Sequence, residues 1–128
     1  MLLSCTVAST IRSPYPKLPY EQMKDDVLGK GYQLSLTFVG TVRAQKLNKA
    51  YRKKSYVPNV LSFPLDAHAG EIFISPEVAK RQAPRYGMST KGYIGYLFIH
   101  GLLHLKGLDH GDTMDKAERK YRMKYDLR

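Results

Sequence analysis

Three of the chain's four histidines fall in one apolar stretch, Leu97-Phe98-Ile99-His100-Gly101-Leu102-Leu103-His104-Leu105-Lys106-Gly107-Leu108-Asp109-His110. His100 and His104 are four residues apart, which puts both imidazoles on one face of a helix. Gly107 offers a C-cap, where a helix stops and the chain turns. A short turn then swings His110 back towards the first two. A lone histidine on an apolar helix is ordinarily a core or surface residue. A third one after a glycine turn, beside Asp109 in a histidine-poor chain, lifts the pattern above that. Three neutral imidazoles converging from a helix and its following turn make an open metal site. Zinc with three protein ligands keeps its fourth position for water or substrate. Apolar residues almost surround this helix between Tyr93 and Leu105, so it is expected to be central and buried.

The rest of the chain arranges strands and helices around that helix. A first strand is expected over 2–8. Pro14, Pro16 and Pro19 make the next segment a loop, and a helix over 20–29 ends at Gly29 and Gly31. Gln33-Leu34-Ser35-Leu36-Thr37-Phe38-Val39 alternates polar and apolar residues, the pattern of a half-buried strand. Thr41 is the expected N-cap of a helix whose stripe is Val42, Leu47, Ala50 and Tyr51, with Tyr51 expected in the core. Asn59 to Pro64 reads as a short strand ended by the proline, and Glu71 to Ser75 as the next. A helix starts at Ser75 or Pro76, the histidine helix at Ser89 or Thr90, and a last charged helix at Asp112 or Thr113, running to about Tyr125. The order predicts an α+β fold, a small mixed four-stranded sheet with packed helices. The strand–helix–strand opening favours parallel pairing. The metal site would lie at the end of the central apolar helix.

A length of 128 residues suits one domain, 1–128, with a real core. The single cysteine, Cys5, excludes an intramolecular disulfide, fits a reducing compartment and reads as a small buried residue. The start of the chain lacks the basic flank of a signal peptide, and no segment reaches the roughly 20 apolar residues of a membrane span. A soluble, cytoplasmic protein is expected. The net charge is +10, and the excess concentrates in Arg43, Lys46, Lys49, Arg52, Lys53 and Lys54, with no acid between 41 and 63. Such a segment suits a polyanion, most naturally nucleic acid. A solvated helix face on a basic protein accounts for the charge equally well.

The spacing His-x3-His-x2-Gly-x2-His also matches the zinc helix of metzincin proteases. Their chemistry needs a Glu directly after the first histidine as general base. Here that position is Gly101, which can neither take a proton nor polarise water. The metal site survives the comparison and the peptidase mechanism does not.

The run His100-Gly101-Leu102-Leu103-His104-Leu105-Lys106-Gly107-Leu108-Asp109-His110 resembles the signature of the YbeY family of rRNA-maturation endoribonucleases, His-Gly-x-Leu-His-Leu-x-Gly-x-Asp-His. Leu47-Asn48-Lys49-Ala50-Tyr51-Arg52 resembles its Leu-Asn-x-x-Tyr-Arg helix. Val60-Leu61-Ser62-Phe63-Pro64 and Gly70-Glu71-Ile72 resemble its Val-Leu-Ser-Phe-Pro and Gly-Asp-Ile strands. The likeness covers about residues 34–125. Two positions depart from it: Pro58-Asn59 stands for Thr-Asp, losing a carboxylate, and Glu71 stands for Asp, keeping one.

The resemblance implies a zinc-dependent, single-strand-preferring endoribonuclease acting in rRNA maturation, at the 3′ end of small-subunit rRNA, and in ribosome quality control. It implies one zinc ion on His100, His104 and His110, catalytic roles for Arg52 and His100, and RNA and the small ribosomal subunit as partners, with no DNA and no membrane. Arg52 suits the scissile phosphate because a guanidinium binds phosphate oxygens bidentately; alone it would read as an ordinary surface arginine. Arg43, Lys46, Lys49, Lys53 and Lys54 would attract the RNA backbone without reading sequence. Tyr51 and Tyr56 could stack on unpaired bases. Asp109 is a candidate acceptor for a ligating histidine's second ring N–H and equally fits a turn cap or a solvent-facing residue. His68, in a loop beside Asp66, reads as exposed. No general base is legible beside the histidines. Two alternatives stand: a zinc hydrolase of a peptide or nucleotide, and a non-catalytic ribosome-binding module with structural zinc.

Overall fold

The computed structural model describes residues 4–128. Its elements are β1 (Cys5–Ser9), α1 (Tyr20–Leu28), β2 (Gln33–Phe38), α2 (Thr41–Arg52), β3 (Val60–Asp66), β4 (Ala69–Ile74), α3 (Pro76–Gln82), α4 (Thr90–Lys106) and α5 (Asp112–Lys124), with a 3₁₀ turn over Ala83–Tyr86. The first strand, expected over 2–8, is seen from Cys5; Met1 to Leu3 lie outside the described residues. The sheet order is β1-β2-β4-β3. β1 and β4 both pair parallel to β2, and β3 returns antiparallel on β4 through a two-residue turn at Ala67-His68. The α+β architecture with a mixed four-stranded sheet is the one expected.

The alternation in β2 explains its place. Leu34, Leu36 and Phe38 are buried on one face. Opposite Leu36 stand Val7 and Ile72, and opposite Phe38 stands Ile74, so three strands present one apolar surface. Helices α1, α4 and α5 close over it, with Met23, Phe98, Leu102 and Met114 fully buried. The α4 helix is apolar on nearly every side because it is covered on nearly every side. The other face of the sheet is smaller: Leu61 and Phe73 pack with Ala44 and Leu47 of α2. Cys5 is buried, and burial pushes its thiol up to about 11, so it is an inert core residue. Among the described residues no helix is long and apolar enough to cross a membrane.

Four local expectations are corrected. Thr41 is not the N-cap of α2: Gly40 is, with no side-chain cap bond. Likewise Gly111, not Asp112 or Thr113, caps α5. Pro64 does not end β3, which runs on to Asp66 past a register shift; β3 is an edge strand, where a missing N–H is tolerated. Of the expected α2 stripe only Leu47 packs on the core; Val42 and Ala50 are exposed, and Tyr51 is 71% exposed, resting against Phe63. At α4 the expected cap holds: Ser89 Oγ accepts from the Gly92 N–H at 3.0 Å.

Candidate metal centre and its cleft

His100 and His104 emerge half-buried from the last turns of α4, and His110 stands exposed in the loop before α5. Gly107 makes the turn between them. It takes φ 104°, a left-handed conformation that glycine adopts without a Cβ clash. Its N–H donates to the His104 carbonyl and the Leu108 N–H to the Leu103 carbonyl, both at 3.0 Å, the pair of hydrogen bonds of a Schellman ending.

One potential ligand atom from each of the three histidines lies within 4.8 Å of the others. His100 Nε2 and His104 Nε2 are 3.1 Å apart. Zinc–nitrogen bonds of about 2.0–2.1 Å at tetrahedral angles require roughly 3.3 Å between nitrogens, so the spacing suits such an ion. Burial, and then the neighbouring imidazoles, hold His104 below its ordinary value of 6.5, which leaves a neutral ring with a free lone pair. A neutral imidazole is the form of histidine that zinc takes as a ligand.

The far ring nitrogen of His100 has a neighbour that the sequence reading did not name. Glu118 of α5 is 6% exposed, and its Oε2 lies 3.5 Å from His100 Nδ1. Both atoms are buried and otherwise without a partner. Burial alone would raise the Glu118 carboxyl; polar contact with His100 and Tyr96 outweighs it and holds the group below its ordinary value. Glu118, rather than the exposed Asp109, is placed to accept the Nδ1 proton of His100. A signal for it exists in the sequence. Met114, Glu118 and Tyr121 share one buried stripe of α5, where a carboxylate needs a reason to be.

The three histidines line a cleft of about 350 Å³ together with Arg52, Tyr56, Pro58, Asn59, Val60 and Ser62. Arg52 reaches it from the last turn of α2. Arg43 and Lys46 border a different depression, with Glu77, and Lys49, Lys53 and Lys54 are exposed without lining the cleft. The basic helix therefore delivers one side chain to the histidines and spreads the rest over the surface. Asn59 keeps a polar role without the carboxylate: its Oδ1 accepts from the Val60 N–H at 2.7 Å and its Nδ2 donates to Gln82 Oε1 at 2.9 Å. Glu71 does not line the cleft, and His68 is exposed in the β3–β4 turn.

Gly101 is required by packing. A Cβ there would meet Ser62 Oγ at 2.9 Å and Ile72 Cδ1 at 3.0 Å, and Ser62 Oγ donates to the Gly101 carbonyl at 3.1 Å. Helix α4 lies this close to the sheet because position 101 has no side chain, so the carboxylate of a metzincin has no room there.

The fold and the cleft together define a class: an α+β protein that presents three histidines and an arginine to one open cavity. A family model described as endoribonuclease YbeY matches residues 9–126. Proteins named endoribonuclease YbeY are 36% identical in Mesoplasma florum (79% of this chain, 71% of that one) and 37% identical in Staphylococcus carnosus (81% and 72%). A third, from Bdellovibrio bacteriovorus, is 42% identical over 66% of this chain and 58% of its own. The solution structure of a Thermotoga maritima protein superposes with a TM-score of 0.62 at 20% identity, covering 91% of this chain and 85% of that one, and shares the fold. The chain belongs to the endoribonuclease YbeY family.

Proposed function

We propose that the chain is a zinc-dependent endoribonuclease that cleaves single-stranded RNA in rRNA maturation, at the 3′ end of small-subunit rRNA, and in ribosome quality control. The observation that carries this is a single cleft lined both by Arg52 and by the three imidazoles. The relatives' shared name, endoribonuclease YbeY, supports the same substrate class.

One zinc ion on His100, His104 and His110 would supply Lewis-acid polarisation of a phosphoryl oxygen. The chain's own residues do the rest. Arg52, exposed at the cleft, binds two oxygens of the scissile phosphate and fixes its orientation. His100 presents Nε2 to the cleft and holds its Nδ1 proton towards Glu118. Arg43, Lys46, Lys49, Lys53 and Lys54 draw the polyanion in from solution without selecting sequence. A peptidase reading has nowhere to put its general base, because Gly101 is packed against Ser62 and Ile72.

The test is cleavage of a small-subunit rRNA precursor by wild type, Arg52→Ala and His100→Ala, with metal content measured on each. Arg52→Ala is expected to keep its metal and lose about 10²- to 10³-fold in rate, the scale of removing one preorganised donor. His100→Ala is expected to lose both metal and cleavage. Equal cleavage by all three overturns the assigned roles, and wild type purified metal-free without chelator overturns the site.

A further inference from the structure

Two exposed tyrosines flank Arg52 in the sequence, and their surroundings differ. Tyr51 leans on Phe63 at 5.5 Å between ring centroids, Phe63 leans on Phe73 at 5.9 Å, and Tyr51 does not line the cleft. Tyr56 does line it, beside Arg52 and the three histidines, while staying 55% exposed.

An exposed tyrosine on a loop is free to wander unless its backbone is tied, and here it is. Asn48 is fully buried in α2, and its Nδ2 donates to the Tyr56 carbonyl at 3.0 Å. Gln45 Nε2 donates to the neighbouring Ser55 carbonyl at 2.8 Å. Lys53 ends α2 in a left-handed conformation, and the Lys54 N–H returns to the Asn48 carbonyl. Pro58, buried, limits the conformations open to Val57 on the other side. Asn48 does this at a cost, since its own Oδ1 is buried without a partner. What that interior amide secures is the backbone of an aromatic residue that stays exposed beside the cleft.

We propose that Tyr56 is a base-stacking subsite: its ring takes the face of an unpaired nucleobase next to the phosphate that Arg52 holds. The proposal rests on the RNA reading of the cleft and deepens it. No acidic residue occurs between 41 and 65, so the segment that leads to Tyr56 carries only positive charge for a polyanion to meet. Every base has a π-face, and only an unpaired base can offer it to a side chain. The subsite therefore selects single strands over duplex without selecting sequence.

The test measures binding of a short single-stranded RNA, 2′-O-methylated and phosphorothioate-linked so that it resists cleavage, at fixed salt. Copies carrying one abasic position each are measured beside it, all with the full chain. Tyr56→Ala is expected to weaken binding about 5- to 100-fold, the scale of one base–aromatic stack. Tyr56→Phe and Tyr51→Ala are expected to bind as wild type does. One abasic copy should bind wild type correspondingly weakly, and Tyr56→Ala should not distinguish that copy from the intact strand. Wild-type affinity in Tyr56→Ala, an equal loss in Tyr56→Phe, or an equal loss in Tyr51→Ala overturns the subsite and leaves the RNA reading standing. Failure of the wild type to bind any copy overturns the RNA reading and the subsite with it.

Discussion

Glu118 is a carboxylate that α5 carries on its buried stripe, 3.5 Å from His100 Nδ1. With a metal on Nε2, Nδ1 would carry the proton, and a buried N–H needs an acceptor. Glu118→Gln keeps the shape and removes the charge. Its zinc Kd, read by competition with a chelating dye, is expected to rise about 10- to 100-fold, while the metal-free protein keeps its secondary structure. An unchanged Kd would show that His100 is oriented without Glu118. The same site gives the protein a pH dependence. The folded state holds His104 below its ordinary 6.5, chiefly by burial and then by the neighbouring imidazoles. Below that pH the unfolded chain takes up a proton that the folded chain resists. Stability that is full above 6.5 is therefore lost as the pH falls towards the lowered value. Glu118, held below its ordinary 4.5, adds a second loss further down, as the pH falls through its folded value. Urea midpoints of the metal-free protein at about pH 7.5 and about pH 5.5 should differ in that sense, and His104→Gln should flatten the difference.

At the scale of elements, α4 positions the site by its distance from the sheet. Gly101→Ala would press a methyl group on Ser62 and Ile72. It is expected to cost about 1–3 kcal/mol in urea unfolding, the range for overpacking a tight contact. A neutral result would mean that α4 shifts freely on β3 and β4. The elements also show where sequence reasoning stops. The histidine helix, its Ser89 cap and its Gly107 ending were legible because each rests on local chemistry. The helix starts at Gly40 and Gly111 were not, because Thr41 and Asp112 look like caps and sit one position inside. Asp112 and Asp115 still place negative charge in the first turn of α5, where the helix dipole favours it. Tyr51 continues the stripe of Ala44 and Leu47, but it meets only half-buried Phe63 of an edge strand and stays in solvent. Glu118, and the bond that Asn48 makes to the Tyr56 carbonyl, were not legible for a common reason. Each is a polar residue on a buried stripe, and its partner lies elsewhere in the chain.

At the scale of the molecule, the strand order β1-β2-β4-β3 depends on pairings between distant segments, which periodicity within a strand does not encode. The same long-range packing decides what the metal does for stability. The core between the sheet and α1, α4 and α5 is apolar and closed: Leu36, Phe38, Ile72, Ile74, Ile94, Phe98, Leu102 and Met114 are fully buried. The histidines stand at its rim, with His110 exposed. Helix α5 has contacts of its own to hold it in place. Met114 and Tyr121 are buried under it, the Tyr121 hydroxyl donates to the Asp26 carbonyl at 3.3 Å, and Lys124 pairs with Asp26 at 2.6 Å. A zinc ion would tie only the 107–111 turn to α4. Chelation is therefore expected to leave the far-UV circular dichroism and a single cooperative unfolding transition intact. Added zinc should raise stability by mass action alone, about 4 kcal/mol when free zinc is about a thousand times its Kd. Hydrogen exchange should quicken on chelation between Leu108 and Gly111 and stay unchanged in β2 and β4. If zinc is instead a structural staple, chelation will abolish the helical signal and exchange will quicken throughout α4 and α5. A melt with and without chelator distinguishes a metal that serves the cleft from one that serves the fold.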